Sequence, residues 1–236
     1  MWGKKTVAVI IPASQENGQI FNVIQDFDST GYVDEILIVG NGKKKVAQNE
    51  IKQTRAKYVS QKRPGFGIAI REGINKTKAD LLIITEPNGS FKGKDILKLL
   101  SYSDDFDMVF GSRTHLPLIQ KGSGMNFIRR IVDDLFGKLI SFLFLGPPLT
   151  DVGCIFRLTD RNGWKKISHD CHRDDEMFIT EWLVAAVKNK VKFIEIPVHF
   201  NMPRRSFHPN GFLYNAKRGI QIFFYIWRVW LLAKLK

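Results

Sequence analysis

Glu86-Pro87-Asn88 puts a carboxylate and an amide side by side, directly after the apolar run Leu81-Leu82-Ile83-Ile84. A short run of this kind, rich in branched side chains, reads as a strand buried on both faces. Pro87 cannot donate to a sheet ladder and Asn88-Gly89 is turn chemistry, so the strand stops there. Two oxygen-bearing side chains are thereby delivered at the C-terminal end of an inner strand, the edge where open α/β sheets bind ligands. Three other groupings offer chemistry and lose it on inspection. His169, Cys171 and His172 have no second pair of ligands at suitable spacing elsewhere, so a zinc knuckle is not expected. Gly65-Phe66-Gly67 lacks the Lys-Ser/Thr of a P-loop and the third glycine of a dinucleotide fingerprint, and a tight turn explains it. Lys43, Lys44 and Lys45 with Lys52, Arg55 and Lys57 read as a solvated basic helix face.

Composition bounds what these residues can serve. The chain has 236 residues and a formal net charge of +13, with 44% hydrophobic and 12% aromatic residues. That hydrophobic content belongs to a folded protein with one large core, and no linker-like stretch divides it. The positive charge seeks anions: phosphates, nucleic acid or an acidic membrane surface. No recognised nucleic-acid motif accompanies the charge, so a nucleic-acid partner is not expected. Cys154 and Cys171 are the only cysteines, and Met1-Trp2-Gly3-Lys4-Lys5 lacks the apolar core of a signal peptide. A reducing cytosol without a structural disulfide is the expectation.

The elements that position the Glu86 corner follow from pattern. Strands are expected at Thr6 to Ile11, ending at Pro12, at Glu35 to Val39, at Tyr58-Val59, at Leu81 to Ile84 and at Met108 to Phe110. Helices are expected from the Ser14 to Gly18 turn to about Phe27, from Lys43 through Ile51 to Lys57, from Ile68 to Lys76 and from Asp95 to Tyr102. This alternation predicts an α/β fold with a mixed, mostly parallel sheet flanked by helices. Further on, Asn126 to Leu145 reads as a helix opening on Arg129-Arg130 and becoming apolar, Asp151 to Leu158 as a strand, Met177 to Lys188 as a helix and Phe193 to Phe200 as a strand. One domain over residues 1–211 is expected, with a separate C-terminal helix over 212–236.

From Arg204 onward there are seven Lys or Arg residues and no acidic one. On a helical wheel Lys217, Gln221 and Arg228 share one narrow face, and Phe223, Phe224, Ile226, Trp227, Val229, Trp230 and Leu231 cover the rest. The apolar run is too short for a spanning helix and carries Arg228 near its centre. An amphipathic helix lying in the membrane interface, with cations toward anionic headgroups, is the expectation. The competing reading is a terminal helix packed on the core.

Taken together and in order, Val9-Ile10-Ile11-Pro12 with Glu16-Asn17, the glycine turn at Gly40 to Gly42, Gly65-Phe66-Gly67 with Arg71 and Gly73, Asp80, the Glu86-Pro87-Asn88 corner, Asp151 to Arg157 and Glu195-Ile196-Pro197-Val198 form a series. The series resembles the family-two glycosyltransferases of GT-A (Rossmann-like) fold, and within them the dolichol-phosphate mannose synthase-like, polyprenyl-phosphate glycosyltransferases. The resemblance implies inverting transfer of a sugar from a nucleotide-sugar donor to a polyprenyl phosphate or other glycan acceptor at the cytosolic face of a membrane. It implies that Pro12, Glu16, Asn41, Gly67, Arg71, Arg204 and Arg205 serve the nucleotide-sugar, and that Arg113, Arg129 and Arg130 grip the acceptor phosphate. Asp151 and Glu181 match positions near the sugar. The central corner, usually Asp-x-Asp, implies that Glu86 and Asn88 hold Mg²⁺ or Mn²⁺, and Asn88, Asp151 and Glu181 are the expected catalytic residues. Two departures stand out: Gly40 and Asn41 replace paired aspartates, and one anionic ligand fewer at Glu86-Pro87-Asn88 implies a weaker hold on the ion. The alternative these departures motivate is a degenerate, lipid-binding or scaffolding relative; a homo-oligomer or a membrane protein partner is compatible with either.

Overall fold

The structure, a computed structural model, describes residues 1–13, 19–41, 51–119, 123, 125, 127–201 and 212–235, and for 212–215 the backbone alone. The apolar runs form the expected strands. β1 (Val7–Pro12) and β4 (Leu81–Ile84) are buried at every position, and β2 (Glu35–Gly40) at all but its first. With β3 (Lys57–Ser60), β5 (Met108–Ser112), β6 (Arg157–Asp160) and β7 (Phe193–Pro197) they make one seven-stranded sheet in the order β3-β2-β1-β4-β6-β5-β7. β1 runs parallel to β2 and β4, β2 to β3, and β5 to β7; β6 is antiparallel to both neighbours. The chain builds outward from β1 to β3 and then returns to β4 on the other side, so the topological switch lies between β1 and β4, beside the Glu86 corner.

Helices cover both faces. α1 (Ile20–Asp28) buries Ile20, Val23, Ile24 and Phe27, the spacing of one helical face. α2 (Phe66–Lys76) and α3 (Ile96–Ser101) follow, the latter preceded by a single 3₁₀ turn at Gly93–Asp95. α4 (Phe127–Phe144), α5 (Arg161–Ile167), α6 (Phe178–Lys188) and α7 (Phe212–Lys234) complete the set. α7 docks on the core through Ile222 and Ile226 and is tied to the segment before α6 by Arg218, whose Nη1 lies 2.6 Å from Glu176 Oε2.

Three sequence expectations need correction. The strand expected over Asp151 to Leu158 starts only at Arg157. Asp151 Oδ1 accepts the N–H of Gly153 at 3.0 Å, and this tight local turn keeps residues 151–156 out of the ladder. The helix expected to reach Lys57 is already broken after Ile51, where Thr54 turns back on the Ile51 carbonyl, and Lys57 opens β3 instead; Lys43, Lys44 and Lys45 lie outside the described residues. The strand expected to Phe200 ends at Pro197, leaving Phe200 with only an isolated bridge to Ile119.

Gly67, at the start of α2, is a point of close approach rather than of freedom. A methyl group built on it would lie 2.1 Å from the Arg173 carbonyl oxygen and 2.8 Å from the Phe178 ring. Since backbone cannot yield as a flexible side chain does, Gly67→Ala is expected to cost about 1–3 kcal/mol through overpacking. Thermal or urea unfolding measures it. A variant as stable as wild type would mean the α2 junction with the 173–178 segment is loose.

Candidate functional site

The corner after β4 is internally tied. Asn88 Nδ2 donates to Glu86 Oε2 at 2.8 Å, and Asn88 Oδ1 accepts the N–H of Ser90 at 3.0 Å. As placed, the amide orients the carboxylate. Gln19, just before α1, stands beside the turn, its Oε1 3.2 Å from where a methyl on Gly89 would be. On the other side Ser90 accepts the N–H of Asn201 at 2.8 Å, and Phe91 packs on Phe200 with ring centroids 5.5 Å apart.

Phe200 joins the corner to a buried ionic cluster, since the Arg113 guanidinium lies over its ring at 5.3 Å. Arg113 is 3% exposed. Its Nε donates to Asp151 Oδ2 at 2.8 Å and its Nη2 to Asp151 Oδ1 at 2.7 Å, a two-pronged ion pair, while its backbone N–H also donates to Oδ2 at 2.8 Å. These bonds and the Arg113 charge hold the Asp151 carboxyl below its usual range against the cost of burial. Asp133, from α4, lies 3.5 Å from Arg113 Nη2. Its Oδ2 is buried without a hydrogen-bond partner, and burial with the Asp151 charge raises its pKa to about 6. α4 comes this near because residue 137 is glycine: a methyl there would lie 2.4 Å from the Leu149 carbonyl oxygen.

Glu195, on β7, seals the cluster from below. It accepts the backbone N–H groups of Thr150 at 2.7 Å and Asp151 at 2.8 Å, and burial followed by the Asp151 charge raises its pKa to about 8. Thr150 shares a triangle of hydroxyls with Ser112 and Thr114, with sides of 2.8, 2.9 and 3.0 Å. Arg130 Nε donates to the Thr114 carbonyl at 3.0 Å, and half-buried Arg129, whose pKa is lowered by burial and then by the Arg113 charge, stands on the same helical turn.

The structure thus brings Arg113, Arg129, Arg130 and Asp151 together, and Phe200 links Arg113 to Phe91, just past the Glu86 and Asn88 corner. Pro12 ends β1 and Asn41, exposed, follows β2 on the same sheet edge. The remaining expected site residues sit apart from the cluster. Arg71 Nη1 donates to the Arg173 carbonyl at 2.6 Å, its Nη2 reaches Asp174, and its guanidinium lies over Phe178. Glu181 is 5% exposed and accepts the N–H of Arg173 at 2.8 Å, with its pKa raised by burial. As placed, Arg71, Gly67 and Glu181 all organise the 172–178 segment. Glu16, Arg204 and Arg205 lie outside the described residues. Asp133, Glu195 and Phe200 were not singled out as site residues from sequence. Asp133 had a signal: it precedes the buried Gly137 and Ile140 at helical spacing, a carboxylate on the buried face of a helix.

Among the described residues no group of three or more His, Cys, Asp or Glu side chains converges. The donor set at the corner does not fit an all-protein metal cage. It does fit a hard cation anchored by the Glu86 carboxylate, with the rest of its shell drawn from water and phosphate oxygens, as Mg²⁺ is commonly held.

No family model matches the sequence. Dolichyl-phosphate beta-glucosyltransferase of Saccharomyces cerevisiae is 25% identical over 224 residues, covering 83% of this chain and 66% of that protein. UDP-N-acetylglucosamine--dolichyl-phosphate N-acetylglucosaminyltransferase of Methanococcus voltae is 27% identical over 217 residues, covering 82% of this chain and 85% of that protein. The chain therefore spans about two thirds of the length of the yeast relative. Among solved structures, glucosyl-3-phosphoglycerate synthase of Mycobacterium tuberculosis, crystallised with Mn²⁺, UDP and glucosyl-3-phosphoglycerate, superposes with a TM-score of 0.69 at 12% identity, covering 93% of this chain and 78% of that one. The same protein has also been crystallised with Mg²⁺ and UDP. The fold is that of the GT-A glycosyltransferases, and the chain resembles the family-two members. The relatives to which its sequence is similar include dolichyl-phosphate glycosyltransferases.

Two outcomes follow from the buried cluster. Truncation in Arg113→Ala leaves Asp151 charged and unpaired in the interior, which is expected to cost about 3–5 kcal/mol; urea unfolding reads this, and a loss below about 1 kcal/mol would mean the ion pair is solvated. Asp133 has the opposite sign: its folded pKa of about 6 lies above the unfolded value of 3.8, so the folded state binds the proton more tightly. Its stability contribution is present at low pH and lost as pH rises through about 6, by up to about 3 kcal/mol. Asp133→Asn is therefore expected to raise the melting temperature at pH 8 more than at pH 4, and a pH-independent difference would contradict the assignment.

Proposed function

We propose that the chain transfers a sugar from a nucleotide-sugar donor to a polyprenyl phosphate of the dolichyl type, acting as an inverting glycosyltransferase. The observation that carries this reading is homology to dolichyl-phosphate transferases over four fifths of the chain. The sheet supports it by setting the Glu86 corner at the β1/β4 switch, where a nucleotide is received in folds of this class. Glu86, oriented by the Asn88 amide, would hold the divalent ion, and Pro12 and Asn41 stand on the adjoining sheet edge where the nucleoside would lie. When bound, the ion supplies charge neutralisation at the diphosphate of the departing nucleotide. Glu16, Arg204 and Arg205 serve the same donor in this reading.

On the acceptor side Arg129 and Arg130 receive the lipid phosphate, and Arg113, committed to Asp151, sets the floor on which they stand. A phosphate acceptor is already an anion and attacks the anomeric carbon without a general base. Asp151 accordingly orients Arg113 rather than abstracting a proton. The reaction takes place at the cytosolic face of a membrane, where lipid-borne acceptors are reached from solution.

Isothermal titration with a panel of nucleoside diphosphates and nucleotide-sugars, with and without Mn²⁺, tests the donor site. Saturable binding of one nucleotide, strengthened by the ion, is expected. Asn88→Ala, which releases Glu86, is expected to weaken the ion-dependent part about 10–100-fold while leaving ion-free binding in place. Binding that ignores Mn²⁺ would remove the ion from the site, and absence of binding to every donor would remove the transferase reading.

A further inference from the structure

Among the described residues, all the exposed large hydrophobic side chains except Met1, Leu97, Tyr102 and Leu116 lie on, or one residue beyond, α4 and α7. On α4 these are Phe127, Ile128, Ile131, Val132, Leu135 and Phe142, with exposures reaching 76%. The first half of this helix is inverted relative to an ordinary surface helix, which turns its apolar stripe inward. There Arg129, Arg130 and Asp133 lie on the side of the Arg113 cluster, while Phe127, Ile128, Ile131, Val132 and Leu135 face out; in the second half Ile140 is buried and Leu139, Leu143 and Phe144 pack against the core. On α7, Ile222 and Ile226 take the buried seam, and Phe223, Phe224, Trp227 and Leu231 are exposed.

The two apolar faces meet. α4 and α7 pack together, and a methyl on Gly219 would lie 3.8 Å from the Phe136 ring. Val132 precedes Phe136 by one helical turn and Phe223 follows Gly219 by one turn, so exposed apolar residues flank the seam on both helices.

Charge selects the occupant. α7 contains Lys217, Arg218, Arg228 and Lys234 and no acidic residue. Arg218 is committed to Glu176, but no ion pair engages Lys217 or Arg228 among the described residues. On α4, Asp134 is neutralised by Lys138 at 2.6 Å and Asp133 is turned inward. The rim is therefore cationic. No helix of the described residues is long and apolar enough to cross a membrane. We infer that α4 and α7 together form a platform that lies in the surface of an anionic bilayer, so that α4, and not the C-terminal helix alone, enters the lipid. This rests on the proposed lipid-phosphate acceptor for its purpose. The turn of α4 that holds Arg129 and Arg130 is also the turn where the lipid-facing residues begin, so a phosphate at headgroup depth meets both arginines without leaving the membrane.

Flotation with vesicles of phosphatidylcholine and phosphatidylserine, against phosphatidylcholine alone, tests the platform on the full chain. Wild type is expected to float with the anionic vesicles and to be released by salt. The exposed double change Ile131→Glu with Leu135→Glu on α4 is expected to reduce partitioning at least about tenfold, as is Trp227→Glu on α7. Unchanged melting temperature and unchanged nucleotide titration in the variants separate this from misfolding and from failure of the donor site. Full binding by the α4 variant with loss in the α7 variant would overturn the role of α4. A wild type that ignores vesicles but forms a dimer by light scattering, broken by the same changes, would assign the face to a second copy of the chain and overturn the bilayer.

Discussion

An arginine with 3% of its surface exposed, gripping a carboxylate through both prongs, is the interaction on which the second half of the molecule depends. Burying two opposite charges costs several kcal/mol per ion, and attraction alone rarely recovers it. Arg113 and Asp151 offset the cost by geometry: the carboxylate accepts two guanidinium N–H groups and the backbone N–H groups of Arg113 and Gly153, and the guanidinium is covered by the Phe200 ring. Each of those bonds fixes a different segment. The end of β5, the turn at 151–153 and the strand exit at Phe200 are all set by one ion pair. Through Phe200 and Asn201 the same pair reaches Ser90 and Phe91, so Arg113 and the Glu86 corner are held in one frame.

Around that pair the charges are graded rather than simply balanced. Asp151 is the carboxylate that keeps its charge, because it alone receives the full set of Arg113 donors. Asp133 and Glu195, deprived of comparable partners and facing the Asp151 charge, are pushed toward their neutral forms. Arg129 has its pKa lowered by burial and then by the Arg113 charge, with the Asp133 and Asp151 charges acting against this. The cluster thus holds one satisfied anion, two carboxyls pushed toward neutrality and a crowded cation side by side.

How much of this the residues announced depends on how local the cause was. β1, β2 and β4 are legible because a run such as Val-Ala-Val-Ile-Ile can only be stable when buried on both faces, and Pro87 with Asn88-Gly89 marks where β4 must stop. The stretch 151–156 is apolar enough to read as a strand and is not one, because a single side-chain acceptor, Asp151, captures its backbone. No pattern of hydrophobicity carries that information. Arg71 and Gly67 were legible as belonging together but not as structural partners, since their contacts with Arg173 and Asp174 span more than 100 residues of sequence. Glu195 was legible only as part of a motif; that it caps the N–H groups of Thr150 and Asp151 requires β5 and β7 to be neighbours, a long-range pairing.

α4 shows the deepest limit of pattern reading. Periodicity identifies a helix with an apolar and a polar face, but not which face the protein keeps for itself. Folding normally decides this by burying the apolar side, since that removes the most area from water. Here the sheet edge holds a charged pair, and the first half of α4 brings Asp133 within 3.5 Å of Arg113. Gly137 lets that face come within contact of the Leu149 backbone. With the polar side of that half turned to the buried charges, its apolar residues Ile128, Ile131, Val132 and Leu135 are left outside, alongside those of α7, while Ile140 further along is buried. The outcome is a large exposed apolar surface on two packed helices with Lys217 and Arg228 at its margin, the kind of patch that marks an interaction site rather than an ordinary solvated surface.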